Sequence, residues 1–177
     1  LKLYTGDLCE INFIKDVFRD IIKKYKSLDG IIHFGGLKAV AESIFNPIEY
    51  WKVNVLGTIN LLEIMSKYRI RNLVFSSSAT IYANTERSFL KEDSELKPIN
   101  PYGNNKEAIE KLLSDLFFSS SKSWRVANLR YFNPIGAHES GLIGENPLGI
   151  PNNIFPLILK VASKSLPEIK IFGNDWP

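Results

Sequence analysis

Short apolar runs alternate along the chain with segments of helical periodicity, and this alternation limits the fold most. The runs are "GIIHF" (Gly30 to Phe34), "NLVFSSS" (Asn72 to Ser78) and "RVANLRYF" (Arg125 to Phe132). Central strands that read as continuous apolar stretches belong to sheets covered on both faces, which in practice are parallel. Between them, Phe13, Ile14, Val17, Phe18, Ile21 and Ile22 recur at helical spacing, predicting an amphipathic helix over Ile11 to Tyr25. Asn46 and Pro47 have the chemistry of a helix start, and the pattern runs on to about Lys67. Further helices are expected over Pro101 to Ser121 and Asn153 to Lys164, with outer strands at "LKLYTGDL" and Ile169 to Phe172. The fold class is therefore α/β, a doubly wound parallel sheet of Rossmann-like type.

Composition excludes several functions. With 177 residues, 45% hydrophobic and 23% charged, the chain has enough apolar material for a real core. A net charge of +3 without charge blocks gives no reason to invoke nucleic acid or an anionic membrane. Cys9 is the one cysteine and His33 and His138 stand apart, so neither a disulfide nor a metal site is expected. No apolar run is long enough to span a bilayer, and a cytoplasmic protein is the default. Leu1 is not a methionine, and the sequence starts and stops at strands, so a fragment cut at both ends is expected.

In doubly wound folds ligands bind beyond the carboxyl ends of the strands. Those positions hold Asp7; Gly35, Gly36 and Lys38; Ser76 to Ser78; and Tyr131 to Asn133. Tyr102 and Lys106, four apart in "NPYGNNKEAIEKLL", share a helix face. A phenol is a poor base at neutral pH until a nearby cation favours its phenolate. Lysine one turn away has that effect, and a strand-end hydroxyl such as Ser78 could orient a substrate oxygen. Together they suit hydride transfer from an alcohol. The spacing alone is weak, since a chain with 7 tyrosines meets such pairs by chance. In the plain alternative Tyr102 packs on a loop and Lys106 is solvated. "HFGGLK" could bring backbone to a pyrophosphate with Lys38 as countercharge, or be only a turn. His33 reads as a core histidine. Asn54 either serves the site or faces water, and Asp7 either binds a ribose or adenine or caps the next helix.

In combination these clusters carry more weight. "GDL", "IIHFGGLKAVAES", "NVLGTINLL", "FSSSATIY", "PYGNNK", "LRYFNPIGAH", "GIPNNIFP" and "IFGND" occur in this order across nearly the whole chain. This set resembles the UDP-glucose 4-epimerase family of the extended short-chain dehydrogenase/reductase superfamily. The resemblance implies catalysis by Tyr102 as base, Lys106 as its charge partner and nicotinamide-ribose ligand, and Ser78 as hydrogen-bonding hydroxyl. It implies NAD contacts from Asp7, Leu8, Phe34, Gly35, Gly36, Leu37, Lys38, Asn54 and Phe132, together with Ser78, Tyr102 and Lys106. Ser78, Tyr102, Asn133, Asn153, Ile154 and Lys170, Ile171 and Phe172 would meet the UDP-hexose.

The implied domains are a partial NAD-binding part over 1–150 and the start of a substrate-binding part over 151–177. The implied reaction interconverts UDP-glucose and UDP-galactose through transient oxidation at C4. UDP-N-acetylhexosamine or UDP-pentose epimerases, and a non-catalytic nucleotide-binding relative, remain as alternatives. Related dehydratases carry an Asp–Glu pair, and decarboxylases a Glu, where this chain has Ala79 and Thr80. Elimination therefore lacks its acid–base group. The family's N-terminal glycine-rich phosphate loop and most of its C-terminal part are not in the sequence, so no turnover is expected from this piece alone. A homodimer is expected for the full-length parent, through helices Pro47 to Lys67 and Pro101 to Ser121.

Overall fold

The computed structural model describes residues 2–83, 89–119, 123–145, 147, 151, 153–171 and 173. The chain divides into two compact units, Leu1–Phe132 and Asn133–Pro177.

The first unit is built on three parallel strands, β1 (Ile31–His33), β2 (Asn72–Ser78) and β3 (Arg125–Tyr131), in that spatial order. Ile31 pairs with Leu73 and His33 with Phe75, while Ser77 faces Arg130 and Ser78 faces Tyr131 on the other side of β2. Helix α1 (Ile11–Tyr25) precedes β1, and α2 (Val40–Phe45), α3 (Pro47–Tyr50) and α4 (Gly57–Lys67) connect β1 to β2. Between α3 and α4, Trp51–Leu56 form a π-helical segment, with the Gly57 N–H bonded to the Lys52 carbonyl five residues back. The predicted helix over Pro47 to Lys67 is thus continuous but has one wide turn. Helix α5 (Pro101–Ser119) joins β2 to β3. Residues 120–122, where its predicted end fell, lie outside the described residues. The result is a Rossmann-like parallel sheet with flanking helices.

Alternation along the strands explains where the core sits. Leu73 and Phe75 point to one face of β2, where they pack with Ile14 and Phe18 of α1, Leu61, Ile64 and Met65 of α4, and Ile109 and Leu113 of α5. The opposite face carries Ile32 and Leu129, both exposed.

Two expected strands do not form. Residues 2–6 and 169–171 have no regular structure, and Leu3 and Ile171 are each 87% exposed. A strand exists through its ladder, and the described residues supply these segments with none. Residues 2 to 4 are held instead by side chains, since Lys2 and the Tyr4 hydroxyl both bond the Asp20 carboxylate of α1. In the second unit, described by itself, α6 (Ile154–Ala162) occupies most of the expected helix, with Pro156 buried. Among the described residues no helix is long and apolar enough to cross a membrane.

Candidate active site

The end of β2 and the start of α5 meet through a close backbone approach. Asn100 begins α5, its side chain accepting from the Gly103 N–H at 2.8 Å, which satisfies one of the amides a helix start leaves free. The Tyr102 N–H donates to the Ser43 hydroxyl at 3.2 Å, tying the same turn to α2. A Cβ on Gly103 would lie 2.7 Å from the Thr80 carbonyl oxygen, so only glycine lets α5 settle there.

This contact places Tyr102 beside Ser78. The two are 9% and 8% exposed, and Lys106, one turn further along α5, is 6% exposed. The Ser78 hydroxyl accepts from the Thr80 N–H at 3.2 Å and the Thr80 hydroxyl at 3.0 Å, which leaves its own hydrogen for Tyr102. Burial raises the Tyr102 pKa above the ordinary phenol value, and the hydrogen bond with Ser78 pulls it back in part. The net shift is upward, opposite to what Lys106 alone was expected to produce. The Lys106 ammonium lies 5.6 Å from the Tyr102 ring centre and donates to the Ser76 carbonyl at 2.7 Å. Burial brings its pKa down to about 8. The solvated-lysine reading is therefore set aside: this charge is held in the interior, at the carboxyl end of the sheet.

A second layer of polar groups supports the loop after β1. The Asn54 side chain accepts from the Leu37 N–H at 2.7 Å and donates to the Leu37 carbonyl at 3.1 Å. Its amide also reaches the Asn105 side-chain oxygen at 3.4 Å, joining that loop to α5. Asn54 does not face water. The bend it holds has Gly36 at φ +146°, where a Cβ would stand 2.7 Å from the Asn54 oxygen. His33 is the core histidine its strand implied. Its Nε2 lies 2.9 Å from the Thr58 hydroxyl, and that hydroxyl donates to the Asn54 carbonyl at 2.6 Å. Burial, reinforced by the Lys106 charge, holds the His33 pKa down to about 4, so the imidazole is neutral.

The sequence profile described as the NAD dependent epimerase/dehydratase family matches residues 1–176. The chain belongs to this family. Among relatives, it is 47% identical over its whole length to the bifunctional UDP-glucose 4-epimerase and UDP-xylose 4-epimerase 3 of Arabidopsis thaliana, covering 49% of that protein. It is 45% identical to the UDP-glucose 4-epimerase of Bacillus subtilis, covering all of this chain and 50% of the relative. Among solved structures, the UDP-glucose 4-epimerase of Bifidobacterium longum in complex with NAD+ and UDP superposes with TM-score 0.88 at 41% identity, over 98% of this chain and 50% of that one. The chain spans about half the length of the relatives it matches.

Within this epimerase/dehydratase chain the remaining site positions divide by place. Phe34, Gly35, Gly36 and Lys38 are exposed on the loop after β1, Leu37 is half-buried, and the Phe34 ring lies 6.3 Å from that of Tyr131. Phe132 is exposed and stacks on Tyr82 at 6.4 Å. The Asp7 carboxylate accepts from the Cys9 N–H at 2.8 Å, just ahead of α1. Leu8 is half-buried, and its carbonyl accepts from Asn60 at 3.0 Å. Asn133, Asn153, Ile154, Lys170 and Ile171 belong to the second unit and are exposed. Asn153 there bonds Glu145 at 3.0 Å. Phe172 lies outside the described residues. Sequence reasoning missed Asn105 and Glu110 on α5. The spacing from Lys106 to Glu110, four residues, was the signal available for the latter.

Proposed function

We propose that the full-length protein is an NAD-dependent 4-epimerase that interconverts UDP-glucose and UDP-galactose. The observation that carries this reading is the buried Ser78, Tyr102 and Lys106 at one strand end, in a chain so similar to proteins named as UDP-glucose 4-epimerases. The loop after β1 suits a dinucleotide. Its glycine backbone and Lys38 are exposed at the carboxyl edge of the sheet, and Asn54 holds the bend from behind. NAD, when bound, supplies the acceptor for the C4 hydride and later its donor.

The chain's own residues manage the proton. Tyr102 takes it from the sugar 4-hydroxyl as the C4–H bond yields its electron pair, and Ser78 orients that hydroxyl. The ammonium of Lys106 favours the phenolate that this step requires. Once the hydride is back on C4, on the opposite face, return of the proton from Tyr102 completes the cycle, so C4 is inverted with no net oxidation. Asp7, Leu8 and Phe132 complete the proposed cofactor contacts, and Asn133, Asn153, Ile154 and the segment from Lys170 the proposed UDP-hexose contacts. The domain arrangement proposed is a cofactor part over 1–150 followed by a substrate part. Exposed Ile48, Trp51 and Ile59 support a homodimer through the helices over 47–67 and 101–119, and a cytoplasmic location is proposed with it.

A second reading, epimerisation of UDP-pentoses, is favoured by the name of the Arabidopsis relative, which includes UDP-xylose. The test is turnover of UDP-galactose and UDP-xylose by the full-length protein beside Tyr102→Phe. A loss of about 10²- to 10⁴-fold in kcat with UDP binding kept supports the reading. Absence of turnover by the parent on both, and on UDP-N-acetylglucosamine, leaves the non-catalytic nucleotide-binding alternative.

A further inference from the structure

Tyr102, Lys106 and Glu110 stand one turn apart on a single face of α5, and each engages a different serine of β2. Tyr102 meets the Ser78 hydroxyl, and Lys106 donates to the Ser76 carbonyl at 2.7 Å. Glu110, 7% exposed, accepts from the Ser77 hydroxyl. Glu110 is also gripped by Arg130 of β3, whose Nη2 lies 2.8 Å from Oε2 and whose Nε lies 3.1 Å from Oε1. Ser77 and Arg130 are register partners across the β2–β3 ladder, so one carboxylate joins the helix to both strands at a single rung. Arg130 is anchored in turn, donating to the Tyr82 hydroxyl at 3.1 Å and the Glu92 carbonyl at 2.7 Å.

Apolar packing of Ile109 and Leu113 presses α5 onto the sheet but is non-directional, and permits sliding and rotation. A bidentate charge-assisted pair does not. We propose that Glu110 is a positioning residue for the reaction, setting the height and rotation of α5 so that Tyr102 stays in register with Ser78. The inference rests on the 4-epimerase reading. Placement matters because a shift of about 1 Å at a reacting group costs about 10²-fold in rate.

The test uses the full-length protein and two variants, Glu110→Gln and the double variant Glu110→Leu/Arg130→Met, which leaves no unpaired charge. UDP-galactose kinetics and a pH titration of the Tyr102 phenol, by ultraviolet difference against Tyr102→Phe, are measured for each. The expected result is a fall in kcat of about 10- to 100-fold with KM nearly unchanged, and a phenol that titrates at higher pH as its bond with Ser78 loosens. The double variant is expected to recover thermal stability without recovering kcat. If Glu110→Gln does not fold, the double variant decides alone. Wild-type kcat in either folded variant, or recovery of both stability and kcat in the double, overturns the proposal. If the parent turns over no UDP-sugar, the epimerase reading fails, and the phenol titration still decides whether Glu110 positions Tyr102.

Discussion

Gly103 and Thr80 approach so closely that the helix bearing Tyr102 has no room for a side chain at its third residue, where a Cβ would stand 2.7 Å from the Thr80 carbonyl oxygen and 2.8 Å from the Pro98 Cβ. Neither neighbour is the free end of a flexible side chain. Gly103→Ala is therefore expected to push the start of α5 off the end of β2, costing about 1–3 kcal/mol. The same displacement separates Tyr102 from Ser78, so turnover should fall further than stability alone explains. Thermal melts beside kcat for the full-length protein check this; unchanged kcat at an unchanged Tm would show that the helix start does not need the contact.

Lys106 is a charge kept in the interior at a cost. Its folded pKa of about 8 lies below the ordinary 10.5, so between those values the unfolded chain holds a proton that the folded chain has released. Stability from this group therefore rises as pH climbs through that window, by about 3 kcal/mol in all. Lys106→Met removes the penalty and loses one hydrogen bond, worth about 1 kcal/mol. We expect a variant that melts at or above the parent temperature at pH 7, lacks the alkaline gain and has no turnover. A Tm well below the parent's would mean that the lysine is structural.

His33 acts at the other end of the pH scale. Its folded pKa of about 4 lies below the ordinary 6.5, because the imidazolium is excluded from the interior. As pH falls through that interval the unfolded chain takes up a proton and the folded chain does not, and about 3 kcal/mol is lost. His33→Gln should flatten the decline between pH 6.5 and 4 in urea titrations. A decline as steep as the parent's would assign the acid sensitivity to the carboxylates instead.

The sequence reveals the elements whose signals are local. Apolar runs and helical periodicity located α1, β1 to β3, α5 and α6; Ser78 stood out at a strand end, whereas Tyr102 and Lys106 were weak by spacing and rested on the resemblance. Three features depended on partners distant in the chain. The runs at 2–6 and 169–171 have strand composition, but pairing is a relation between two segments, and composition reports on one. Asn54 could be read as facing water because polar residues in a helix usually do, until Leu37 and Asn105, distant in the chain, meet its side chain. Glu110 and Arg130 look like two ordinary surface charges until the α5–β3 crossover brings them to 2.8 Å.

The wide turn itself uncouples chain length from orientation. Closing a hydrogen bond from Gly57 back to Lys52 absorbs one more residue than an α-turn holds. Deleting one residue between Trp51 and Leu56 would leave an uninterrupted α-helix with its two flanks in the phase they already hold, whereas keeping that residue in regular α geometry would rotate one flank by about 100° relative to the other. Tyr50 and Asn54 attend to the loop at Ala39 and Leu37, while Thr58 attends to His33. The segment therefore works as a slack turn: it takes up one residue while Tyr50 on one side and Thr58 on the other keep their contacts.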